Sequence, residues 1–289
     1  MQYTDDEIIQ IIVEQKKAKL RKQRRRRRRI NLIMLLIVLT LFALLAGILI
    51  KVTADYISER ISSSSTASSS SSSDTSETAA VKNGGVIFLD PGHGGSDPGA
   101  QTSERDEKDD TLKISLLTKK ALEKKGYTVY MSRTTDKSVD REERGKMANR
   151  KKADLFISIH RNTGDAGSEA AATASGAEVW ISSSDPDDSR LLGSEILKEL
   201  KASGTMDARA VKSGTLPDPD DDYYENEIPT MPSCLVELGF MTDKSDNKAI
   251  DNQSKKIAQA LATGIDKSYK IIKNDNIGSY QKLLDKYRP

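Results

Sequence analysis

The sequence predicts an α/β domain over residues 84–273, a mainly parallel twisted sheet flanked by helices. Two observations predict it. Short apolar runs alternate with segments of helical periodicity, the pattern of parallel strands covered by helices. Two of those runs, Val86–Leu89 and Leu155–Ile159, stop at a polar turn or side chain and place a histidine at the strand's C-terminal edge, where α/β sheets bind ligands. His93 and His160 are the only histidines in the chain.

The elements follow in order. Val86–Leu89 reads as a buried strand cut short by Asp90-Pro91-Gly92. Leu112–Lys125 has helical apolar spacing and ends at Gly126, a C-cap residue. Tyr127–Met131 is a second strand, Asp140–Lys152 a charged helix with Met147 and Ala148 inward, and Ala153–Ile159 a third strand. Glu178–Ile181 is a fourth strand, Ser189–Ser203 a helix closed by Gly204, Cys234–Leu238 a buried strand, and Asn247–Ile272 mostly helix. Two long loops remain, 162–177 and 213–233, and loops of that length in a compact domain are often functional. Residues 274–289 read as a peripheral C-terminal tail or short helix.

Before the domain come three segments of different composition. Residues 1–29 end in an unbroken run from Arg24 to Arg29. Residues 30–52 follow without a charge until Lys51, long enough to span a bilayer as one helix. The basic flank orients the N-terminus to the cytoplasm and the rest of the chain outward. The span exceeds the usual apolar core of a cleaved signal peptide, so it reads as an anchor. The expected localisation is the cell membrane, single-pass, with the folded domain extracytoplasmic. Residues 53–83, mostly serine between Ser62 and Ser73, form a flexible tether.

The net charge of +2 conceals an asymmetry. Residues 1–60 carry 13 Lys and Arg against 6 Asp and Glu, leaving 32 against 37 for the remainder. A mildly acidic domain is a poor nucleic-acid binder, so no nucleic-acid partner is expected. Cys234, the only cysteine, sits in an apolar run and reads as an inert buried thiol. The glycines around His93 fit neither dinucleotide nor phosphate-loop spacing.

His93 and His160 at matched strand ends suit a zinc site completed by a carboxylate. Glu104, Asp106, Glu107, Asp109 and Asp110 all lie between Gly99 and Leu112, and spacing does not choose among them. Glu237 interrupts the apolar run Cys234–Leu238, where a charge is costly unless paired or used. It suits a general acid/base, with an ion pair to Arg133 or Arg144 as the structural alternative.

The ordered motifs Asp90-Pro-Gly-His-Gly-Gly95, Glu107-Lys-Asp109, Ser132-Arg-Thr-Thr-Asp136, Arg144 with Ala148-Asn149, Ala153–Asn162 and Val236-Glu-Leu-Gly-Phe240 resemble those of the zinc-dependent N-acetylmuramoyl-L-alanine amidases, the Amidase_3 cell-wall hydrolases. The resemblance spans residues 84–272. It implies Zn2+ held by His93, Glu107 and His160, and Glu237 as the catalytic carboxylate. It also implies peptidoglycan as substrate, cut at the amide between N-acetylmuramic acid and L-alanine. Arg161 replaces a residue that is usually small and is assigned, with Asn162, to substrate contact. Gly94 and Gly95 are expected to leave room for metal and substrate. The family includes members gated by a protein regulator, a further partner class. The rival readings are a membrane-tethered peptidoglycan-binding or regulatory module without turnover, and a zinc peptidase acting on the stem peptide.

Overall fold

The computed structural model describes residues 84–164, 174–215 and 218–289. The basic segment, the predicted anchor and the whole tether lie outside the described residues, as do 165–173 of the first long loop. Among the described residues no helix is long and apolar enough to cross a membrane.

Six strands form one sheet: β1 (Val86–Pro91), β2 (Thr128–Met131), β3 (Leu155–Asn162), β4 (Ala177–Ile181), β5 (Ala208–Ser213) and β6 (Ser233–Phe240), in the order β2-β1-β3-β6-β4-β5. All pairings are parallel except β4 with β6, which is antiparallel. The helices are α1 (Glu107–Lys124), α2 (Arg141–Arg150), α3 (Asp187–Ala202), the short α4 (Tyr224–Glu227), α5 (Lys244–Lys273), which kinks at Gln253, and α6 (Gln281–Lys286).

Strand side chains alternate between the two faces. Ile87, Leu89, Ile157, Ile159, Val179, Cys234 and Val236 pack with Ile114, Leu122, Leu192, Ile196, Ile257 and Leu261 of α1, α3 and α5 in the main core. Each such Ile or Leu contributes about 1.5–3 kcal/mol by burial. The other face carries a smaller cluster, Phe88 stacked on Phe156 at 5.8 Å between centroids, with Ala148 of α2. That thinner cover leaves room on this face for polar side chains.

Four differences from the sequence reading have physical causes. α1 begins at Glu107, not Leu112, because its first turn is acidic and suits the positive end of the helix dipole rather than the core. β3 runs on to Asn162, so His160 lies inside the strand. β5 falls in a stretch to which the sequence reading assigns no element: only Val211 of its six residues is fully buried, too few to show a period. The C-terminal segment is docked, with Leu284 and Tyr287 buried and the Val211 amide donating to the Tyr287 carbonyl at 2.7 Å. That contact covers part of an edge strand that would otherwise be open.

Candidate metal centre

The turn after β1 is built on a buried carboxylate. Asp90 is fully buried and accepts from Ser132 Oγ (2.5 Å), Ser158 Oγ (2.7 Å) and Arg144 Nη1 (2.8 Å). Arg144 also donates to the carbonyls of Pro91 and His93, both at 2.7 Å, and Arg133 to those of Pro91 (3.1 Å) and Gly92 (2.7 Å). The two guanidiniums hold the backbone through a conformation it would not choose: His93 has φ +58°, which costs a residue with a Cβ about 1–2 kcal/mol. A Cβ on Gly92 would lie 2.4 Å from Cε1 of His160. The glycines that make room for the ligands are therefore Gly92 and Gly99, whose added Cβ would meet His93 and Glu107 at 2.6 Å. Gly94 and Gly95 pack against Arg133, Lys137 and Ser138 instead.

Glu107, at the first position of α1, is almost fully buried between the histidines. Its Oε2 lies 3.1 Å from His93 Nε2 and its Oε1 3.0 Å from His160 Nδ1. It also accepts from the amides of Ala100 (2.9 Å) and Arg161 (3.0 Å). Burial opposes its charge, but the hydrogen bonds and charges of His160 and His93 hold its pKa far below the ordinary carboxylate value. Burial likewise opposes charge on His160, and Glu107, Glu237 and Glu225 overcome it, raising the ring to about 9. The imidazoles meet edge to face, 4.9 Å between centroids. His93 Nδ1 is 2.9 Å from Asp97 Oδ2, the outer carboxylate that commonly fixes a metal-binding imidazole.

Ligating atoms of His93, Glu107 and His160 all lie within 4.8 Å of one another. His160 Nε2 is shielded from solvent and has no hydrogen-bond partner among the described residues. Two imidazoles, one ionised carboxylate and an orphaned buried ring nitrogen fit a divalent ion with N/O preference. Of the five acidic candidates before Leu112, Glu107 alone joins this group. Asp106 bonds Gln101, and Asp110 pairs with Arg105 and Arg161.

Glu237 faces His160 directly in the β3–β6 register. The side chain is partly exposed, but its Oε2 is sealed from solvent and unpartnered among the described residues. Burial pushes its pKa up to about 8, with His160 opposing and Glu107, Glu178 and Glu225 adding to the rise. Arg133 and Arg144 are committed to the β1 turn, so no ion pair with either holds Glu237.

The two remaining sequence candidates differ. Asn162 lines the cavity and donates to Glu178 Oε1 at 2.9 Å. Arg161 touches the cavity only through a residue that is 2% exposed. Its guanidinium bonds Asp110 (2.5 Å) and Asn247 (2.7 Å), tying β3 to α1 and α5. A guanidinium so enclosed is not presented to substrate, and the reassignment is to support of the site from behind. The cavity, about 390 Å³, is also lined by Val139, Arg141, Tyr223, Glu225 and Leu235. Sequence reasoning missed Asp97 and Glu225. Asp97's spacing of four from His93 was a weak signal, and Glu225 had none. Another cavity of about 430 Å³, lined from Gly176, Thr205 and Asp246, holds none of the ligand residues.

The fold and site together define a mixed α/β domain with a candidate metal site at the C-terminal edge of the parallel part of its sheet. Residues 87–267 match the N-acetylmuramoyl-L-alanine amidase family Amidase_3, and the chain belongs to that family. It is 36% identical over 189 residues to the uncharacterized protein YqiI of Bacillus subtilis, covering 64% of this chain and 85% of that one. It is 30% identical over 206 residues to the sporulation-specific N-acetylmuramoyl-L-alanine amidase of the same organism, covering 70% and 75%. The solved N-acetylmuramoyl-L-alanine amidase of Clostridium difficile 630 superposes with a TM-score of 0.55 at 30% identity, over 68% of this chain and 97% of that one.

Proposed function

We propose that the domain is a zinc-dependent amidase that hydrolyses the amide between N-acetylmuramic acid and L-alanine in peptidoglycan. The observation that carries this is the group of His93, Glu107 and His160 beside Glu237, whose Oε2 has no partner among the described residues. Its chemistry suits amide hydrolysis, and the family relationship supplies the substrate. Zinc held by the three side chains would acidify water toward a pKa of about 7 and polarise the amide carbonyl. Glu237 accepts the proton of the attacking water and delivers it to the leaving nitrogen. Burial lifts the Glu237 carboxyl above the ordinary carboxylate range, the direction that suits its return of the proton to the leaving nitrogen. Asp97 orients His93, and the amides of Ala100 and Arg161 orient Glu107. Asn162 contributes an amide side chain to the substrate wall.

The localisation is part of the proposal. The uncharged span after the arginine run supports a single-pass anchor with a cytoplasmic N-terminus, and the serine tether gives an extracytoplasmic domain reach into the wall. Incubating the purified protein with peptidoglycan and zinc, then quantifying new L-alanine amino termini, tests the activity. Release of whole stem peptides free of sugar is expected. Absence of release from a folded, zinc-loaded protein refutes it, and fragments cut within the stem point to a peptidase.

A further inference from the structure

Of the four carboxylates that line the reaction cavity among the described residues, Asp97, Glu107, Glu225 and Glu237, only Glu225 neither joins the ligand group, nor orients a ligand, nor carries the proton-transfer role. Glu225 lies on α4, only 8% exposed, and lines the cavity with His160 and Glu237. It is absent from the set of mutually close ligating groups. Among the described residues its carboxylate has no hydrogen bond or ion pair. The cavity's arginines are occupied or act elsewhere: Arg144 binds Asp90, Arg161 binds Asp110, and the charge of Arg141 bears on Asp97. The backbone on either side of Glu225 is pinned. Asn226 donates to the Trp180 carbonyl (3.1 Å) and accepts from Ser233 Oγ (3.1 Å), and Asn149 donates to the Ile228 carbonyl (2.9 Å). Glu225 is thus held in a largely buried position with its carboxylate open to the cavity and unpartnered among the described residues, which leaves it available to a cation carried by the ligand.

Resting on the amidase reading, we propose that Glu225 receives the leaving amino group of the L-alanyl peptide as its ammonium. Amide hydrolysis creates that cation. The C–N bond breaks as the water oxygen bonds to the carbonyl carbon, and one water proton reaches the nitrogen through Glu237. The resulting amine then takes the proton of the new carboxylic acid, leaving carboxylate and ammonium with no other reactant. An α-amino group with pKa about 8 is mostly ammonium at neutral pH. Glu225 is then a catalytic residue on the peptide side of the bond, a wall selective for the amine product.

Calorimetric titration of the zinc-loaded full chain with L-alanyl-γ-D-glutamate and with its N-acetyl derivative tests this, in wild type and Glu225→Gln. Wild type is expected to bind the free amine at least about tenfold tighter, the worth of a charge-assisted hydrogen bond. Glu225→Gln is expected to bind both alike, with an unchanged or higher Tm. Equal binding by wild type, a preference that survives in Glu225→Gln, or a fall in Tm that reveals a structural partner would each overturn the proposal. Peptidoglycan hydrolysis by the wild type is read in parallel. Its loss refutes the amidase reading, whereas its presence with any of those outcomes refutes the role of Glu225 alone.

Discussion

Replacing Glu237 by Gln should stabilise the protein, and by an amount that depends on pH. In the folded protein the carboxyl is raised from 4.5 to about 8. Below pH 4.5 it is protonated in both states and burial costs nothing extra. As pH rises, the unfolded chain releases this proton first, so the folded state loses stability between 4.5 and 8 and regains none above. At 1.36 kcal/mol per pH unit, the interval amounts to roughly 5 kcal/mol. The side chain's partial exposure gives water some access and reduces this to about 2–4 kcal/mol. Glutamine keeps the shape and removes the charge, and Oε2 has no partner to lose among the described residues. With divalent ions chelated, urea titration at pH 5 and pH 8.5 should show near-equal stabilities at the lower pH. At the higher pH the variant should be more stable by those 2–4 kcal/mol, a rise in Tm of about 5–15 °C. Peptidoglycan hydrolysis should be lost in the same variant. A stability gap independent of pH, or a variant less stable at pH 8.5, would show that Glu237 has a stabilising partner and refute the reasoning.

Further tests address the rest of the site and its support. Asp97→Ala should weaken zinc binding about 10–100-fold, measured by competition with a chelating dye, because His93 loses its orienting carboxylate. Arg161→Met should cost about 2–4 kcal/mol in urea titration, since Asp110 keeps Arg105 but loses its more deeply buried partner. A loss within 0.5 kcal/mol would contradict a supporting role. Leu284→Ala should cost about 2–5 kcal/mol, as for other core leucines, and a neutral result would mean that the C-terminal segment is not docked.

The sequence made the central strands legible because they are buried on both faces, and a run such as Leu155–Ile159 carries little but apolar side chains. It hid the periphery. β5 has one fully buried residue and is held by side chains that meet only in three dimensions: Arg209 and Lys212 both pair with Glu178 of β4. The antiparallel entry of β4 was equally hidden, because direction leaves no trace in a five-residue apolar run. Arg161 was misassigned for a related reason. Beside a metal ligand it looked like a substrate contact, but strand alternation turns its side chain away from His160 and toward Asp110 and Asn247.

The site itself is a matter of register. His160, Glu237 and Glu178 lie side by side across β3, β6 and β4, and Asp90 pairs with Ser158 across β1 and β3. All five point to the thinly covered face because successive side chains alternate, and the intervening residues, Ile159, Val236 and Val179, fill the main core. A slip of one residue between β3 and β6 would bury Glu237 among α1, α3 and α5 and expose Val236. The apolar alternation that stabilises the sheet therefore also fixes which face receives the carboxylate, so folding energy sets the catalytic geometry. Glu107 and Glu225 escape that logic. They arrive on helices, and each needs separate anchoring: backbone amides around Glu107, and the Asn226 and Asn149 bonds around α4. That difference explains why motif order could place Glu107 only through the family resemblance and could not place Glu225 at all.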